Sequence, residues 1–253
     1  MAPKPILLFL TFAGLALAQN HSVSQADIEE GGQTYRKNCI GCHGSEGASV
    51  AGVDLVHGRY RVATSDDDLV KIILNGLPGT GMPATAMGQS RPPMILAYLR
   101  NMKDAKGRKS IAAAVGDAAR GKMLFREKGG CAGCHRIQGE GGRSGPDLTD
   151  VGHLLSSLEI ETAILDPDDG YPFGSRPVRM ERARGGALTG LLLNQDSYTV
   201  QVIDQEGSLR SLDRSELKRF VPAASWMPAY RGKLDAQELA DVIAYLAKQK
   251  GVQ

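Results

Sequence analysis

Two short stretches of this 253-residue chain read Cys39-Ile40-Gly41-Cys42-His43 and Cys131-Ala132-Gly133-Cys134-His135, and they leave few options open. C-x-x-C-H is an attachment motif for haem. At this spacing two thiols reach the two vinyl groups of one porphyrin, and the adjacent His brings a ring nitrogen to the iron. Two C-x-x-C pairs can also close a tetrahedral zinc shell. Against zinc stand the 92 positions between the pairs and the His that follows each pair directly. The chain has four cysteines, so none remains for a disulfide. The expectation is two covalently attached haem groups, each with its iron.

The surroundings of the motif repeat with it. Gly31 and Tyr35 precede the first motif, and Gly121 and Phe125, at the same mutual spacing, precede the second. Met-Pro-Ala follows each motif, at Met82–Ala84 and Met227–Ala229, and Ala-Tyr-Leu follows that, at Ala97–Leu99 and Ala244–Leu246. A Gly one turn before an aromatic lets a second helix approach the backbone and pack on the ring. The closing helices offer Ile95, Leu96, Tyr98 and Leu99 in one half, and Leu239, Val242, Ile243, Tyr245 and Leu246 in the other. Ser65 before Asp66, Asp67 and Asp68 reads as a helix start, with acids at the positive end of the dipole.

Residues 1–20 carry an early Lys, an apolar run from Ile6 to Leu17 and small residues at Ala16 and Ala18. That is the pattern of a secretory signal cleaved after Ala18. The run is short for a membrane span, so a membrane partner is expected only if the segment is retained, and the mature chain is expected to be periplasmic or otherwise exported. A formal net charge of +2 and 5% aromatic residues give no case for nucleic acid.

With these motifs in place, both halves resemble class I cytochrome c domains, over about residues 25–103 and 115–250. The resemblance implies that a Met sulfur is the sixth iron ligand opposite the motif His. By that likeness Cys39, Cys42, His43 and Met82 hold one haem, and Cys131, Cys134, His135 and Met227 the other, with His43, Met82, His135 and Met227 on the irons. Competitors exist within the sequence. Met87 lies close to Met82, Met180 is a remote rival of Met227, and His21, His57 and His153 leave a bis-His arrangement open. "GPDL", Gly145–Leu148, matches the family's Pro whose carbonyl accepts a hydrogen bond from the axial His and makes it more basic. The first half has "GVDL", Gly52–Leu55, with Val53 at that position, whose carbonyl is expected to be able to take the bond as well.

From His43 to Met82 is 39 positions, but from His135 to Met227 it is 92. The excess contains period-two runs at Leu188–Leu193 and Tyr198–Ile203, a third candidate strand in "SLRSLD" and a fourth in "RPVRMERARG". Asp213 with Glu216 resembles a capping box opening a short helical turn. "AILDPDDG", "ALTGLLL" and "SWMPAY" resemble a haem-binding domain with a β insertion that is associated with quinoprotein-type dehydrogenases.

The expected fold is mainly α: two tandem cytochrome c domains, the second carrying a small antiparallel β insertion at about 176–220. The divisions are 1–18 signal peptide, 19–103 first domain, 104–114 linker and 115–253 second domain. Filled axial positions leave iron no place for a substrate, and Met/His ligation raises its potential. The resemblance therefore implies a one-electron carrier with no catalytic residue. Its partners would be redox proteins, a quinoprotein-type dehydrogenase on one side and an oxidase or another cytochrome on the other. Alternatives are a dihaem enzyme, peroxidase-like or sulfur-oxidising, in which one haem opens its sixth site, and a haem-based gas sensor.

Overall fold

A computed structural model describes residues 23–107, 116–168 and 177–251. The expected signal segment, His21 and most of the expected linker lie outside these residues. The first half opens with α1 (Gln25–Asn38), which Ser24 and Asp27 start as a reciprocal capping box. The single turn α2 (Ile40–His43) carries the first motif. α3 (Asp66–Asn75) begins at Ser65, with Asp68 completing its box, so the acidic run is a cap. α4 (Arg91–Gly107) continues four residues past the expected domain end at 103.

The second half repeats the plan. α5 (Ala118–Arg126) is capped by Asp117, and a single 3-10 turn, Cys131–Gly133, carries the second motif. A two-stranded ribbon follows, β1 (Arg136–Ile137) with β2 (Glu140–Gly141). Next come α6 (Val151–Leu154) and α7 (Ser157–Leu165), the latter boxed by Ser156 and Glu159.

In each half the first and last helices cross where a glycine removes the Cβ. A side chain at Gly31 would collide with the Met94 carbonyl, and one at Gly121 with that of Asp241 in the closing helix. One turn on, the rings of Tyr35 and Tyr98 pack 5.6 Å apart, as do those of Phe125 and Tyr245. Such pairs are worth about 0.5–1.5 kcal/mol beyond their buried area. Ile95, Leu96, Tyr98 and Leu99 are buried as expected, with Leu239, Val242, Ile243 and Leu246 in the other half.

The insertion is a five-stranded antiparallel sheet ordered β6-β5-β4-β3-β7. Its strands are β3 (Pro177–Arg182), β4 (Ala187–Gln195), β5 (Thr199–Asp204), β6 (Leu209–Asp213) and β7 (Leu217–Pro222). With eight helices beside it among the described residues, the fold is mixed α and β, which corrects the expectation of a mainly α chain. Alternation gives the sheet its own core: Val178, Met180, Val200 and Val202 are buried, with Leu188, Leu192, Leu212, Leu217 and Phe220 packed on them. Met180 is fully buried there, so it is a packing residue and not a rival of Met227. The expected turn after Asp213 is a 3-10 turn, Arg214–Glu216, held by the Asp213 carboxylate accepting from the Ser215 N–H. α8 (Ala236–Ala247) closes the half behind an Asp235–Glu238 capping box.

The halves touch along α4 and α7. Glu159 is the centre of that contact: its Oε1 accepts from Arg36 at 3.2 Å and from the Tyr98 hydroxyl at 3.0 Å. The Ser157 N–H also donates to Glu46 at 2.9 Å. Among the described residues no helix is long and apolar enough to cross a membrane.

Candidate haem sites

A cavity of about 540 Å³ opens beside the second motif, a size that suits a buried organic cofactor. Cys131, Cys134, His135 and Met227 all line it. Apolar walls come from α7 and α8 through Ile160, Ile164, Val242 and Leu246, and from the sheet through Pro177 and Leu191. Pro177 and Leu191 are register partners on β3 and β4. The insertion is therefore part of the cavity wall.

The side chains around His135 hold it in one orientation. Its Nδ1 lies 2.9 Å from the Pro146 carbonyl, the contact expected from "GPDL". Gly145 makes room for this, because a Cβ there would stand 2.8 Å from the ring. Burial lowers the His135 pKa, offset in part by that carbonyl, so the neutral form that ligates metal is favoured. The Met227 loop is tied down as well. The Trp226 indole donates to the Ser144 carbonyl at 3.0 Å, Ser225 N–H to Asp168 at 2.7 Å, and Met227 N–H to Ser225 Oγ at 3.0 Å. The Tyr230 hydroxyl donates to the Gly129 carbonyl just before the motif. The donor set, the apolar lining and the anchored imidazole all fit a haem.

The first half differs in its details. Cys39 packs against the core of Tyr35, Ile40, Val56, Ile95, Tyr98, Leu99 and Met102. Burial lowers the pKa of His43 too, yet its buried Nδ1 has no hydrogen-bond partner. The expectation that the Val53 carbonyl would take this bond is thus not met. The reason is local: Asp54 bridges to Arg59 and accepts from the His57 N–H at 3.0 Å, which folds "GVDL" into a turn of its own. Gly52 there faces Arg61, unlike Gly145, which lies on its imidazole. Met82 is held by backbone bonds, its carbonyl accepting from Leu77 N–H at 3.1 Å. Met87, however, is the one of the two that packs against the core that Cys39 also joins.

The remaining candidates are elsewhere. His57 lies 2.9 Å from the Asp54 carboxylate with its ring half exposed, and His153 is exposed on α6. No disulfide joins any of the four cysteines. Among the described residues no cluster of His, Cys, Asp and Glu is suited to a bare metal ion. Sequence reasoning missed Gln33, Arg36 and Lys37, which reach the second cavity from the first half. No local pattern could have found them, since only the packing of the halves brings them there.

Comparison with known families accords with this architecture. Residues 26–91 match the model of cytochrome c oxidase, cbb3-type, subunit III, and residues 118–196 match that of cytochrome c. No curated protein matches the chain significantly. The chain carries two cytochrome c-type domains, and these make it an electron-carrying haem protein. The second match ends one residue past β4, before β5, β6, β7 and Met227.

Proposed function

We propose that this chain is an exported dihaem cytochrome that moves single electrons from a periplasmic dehydrogenase, of the quinoprotein type, toward an oxidase or another cytochrome. The observation that carries this reading is the second cavity, which gathers both thiols, the imidazole and the Met227 side chain of one attachment set around an apolar lining. When bound, haem c supplies a one-electron iron couple. The protein's part is to attach it through Cys39 and Cys42 or Cys131 and Cys134, to ligate it through His43 and Met82 or His135 and Met227, and to keep water out. Pro146 fixes the His135 ring, and the Trp226–Ser144 bond keeps the Met227 loop closed. The insertion supports the same role, since Pro177 and Leu191 wall the cavity. Export and the donor's identity rest on the apolar start of the chain and on the likeness of "ALTGLLL" and "SWMPAY".

A second reading, a dihaem enzyme whose first haem opens its sixth site, is favoured by Met87 rather than Met82 packing against the first half's core, together with the unpartnered Nδ1 of His43. Absorbance and magnetic circular dichroism of the purified holoprotein, oxidised and reduced, separate the two. Two low-spin Met/His haems that bind no carbon monoxide support the carrier. A high-spin fraction or a fast reaction with peroxide favours the enzyme.

A further inference from the structure

A haem carries two carboxylates, and placing a carboxylate at the rim of an apolar cavity is costly unless a cation or donor meets it. Among the described residues, the charged ones lining the second cavity other than His135 are Asp147, Arg36 and Lys37. Asp147 is acidic and accepts from the Thr149 N–H at 2.8 Å. Both cations come from the far end of α1, in the first domain. Arg36 is mostly buried and fixed from two sides: Glu159 lies 3.2 Å away, and the Tyr98 ring lies under the guanidinium, 5.7 Å from it. Glu159 Oε2 is already taken by its capping bonds to Ser156. Lys37 is exposed at the rim.

We propose that Arg36 and Lys37 of the first domain seat the carboxylates of the second domain's haem, so that the second haem site is complete only in the two-domain chain. This rests on the reading of the cavity as a haem site. Lys37 is two residues from Cys39, less than about 7 Å of extended backbone. One helix end therefore serves both centres: its cations hold one haem and its next residues attach the other. A positive charge near the iron favours the reduced state, which carries one positive charge fewer. Lys37 thereby holds up the potential of the second haem.

The test is a redox titration of the full-length, two-haem protein carrying Cys131→Ala as a spectral tag. That variant keeps one vinyl group of the second haem unsaturated, which displaces its absorption band so that it titrates separately from the first. Lys37→Gln should weaken reduction of the tagged haem about threefold, and Lys37→Glu about tenfold, where tenfold is 59 mV for one electron. The untagged haem should move less in both. Arg36→Met with Lys37→Gln should add to the shift and let the second haem dissociate from the Cys131→Ala, Cys134→Ala chain faster than from that chain with Arg36 and Lys37 intact. A tagged potential that stays unmoved, or an untagged one that moves as far, overturns the proposal. Protein purified without a second haem would instead overturn the haem-site reading beneath it.

Discussion

His135 and His43 occupy equivalent motif positions, yet only one has its ring nitrogen engaged, and a single loop explains it. Pro146 presents its carbonyl because Gly145 lies on the imidazole; a methyl group at 145 would meet the ring at 2.8 Å. Gly145→Ala should therefore push the loop away, cost about 1–3 kcal/mol in a thermal melt of the holoprotein, and raise the second haem's potential as the ligand becomes less basic. The equivalent turn in the first half stores its order in Asp54. Burial pushes that carboxyl up, but bonds from the His57 N–H and the Arg59 guanidinium outweigh it and bring the carboxyl down to about 2. The unfolded value is about 3.9, so the contribution is complete above that pH and disappears as pH falls toward 2. Asp54→Asn should be less stable than the parent at pH 7 and equal to it near pH 2, as followed by denaturant unfolding. The motif cysteines and histidines stand out in the sequence by their spacing, and the His135–Pro146 contact was legible only through the likeness of "GPDL" to the family's loop. The orphaned His43 was not, since Val53 keeps the carbonyl and only the Asp54–Arg59 turn moves it.

At the level of elements, the helix start at Ser65 and the glycine–aromatic crossings could be read directly, because each depends on residues within one or two turns, whereas the expected Asp213–Glu216 box is only a cap by Asp213 on Ser215. Four of the five strands could be read from alternation. β7 could not: "LKRFVP" mixes charges with apolar residues and follows a helix-like Asp213–Glu216 pair, and it becomes a strand only by pairing with β3. The sheet's share in the cavity was likewise hidden, since Pro177 and Leu191 meet through register. Replacing Gly186–Asp213 by a short Gly/Ser bridge removes β4 to β6 and with them Leu191. The first haem should stay as it was, while the reduced second haem should bind carbon monoxide. If carbon monoxide binding remained absent, bracing by the sheet would be the wrong explanation and docking of a partner the better one.

At the scale of the whole molecule the two domains meet at a contact centred on one carboxylate, flanked by the Ser45 hydroxyl on the Gly152 carbonyl and the Ser157 N–H on Glu46. Glu159 accepts from Arg36 and Tyr98 on one side and caps α7 on the other. Glu159→Ala should remove all three, with the cap alone worth about 0.5–2 kcal/mol. A scanning calorimetry trace that is a single transition in the parent should separate into two in the variant. The second cavity gathers chain from around residue 33 to residue 246, whereas the first half is complete once α4 has formed. Sites closed by distant segments form late, because long loops must be ordered before their contacts can hold. A newly made chain therefore matures unevenly: its first haem pocket can close while the second still waits for a whole sheet and a final helix, and the age of a molecule is written in which of its two centres is still open to small molecules.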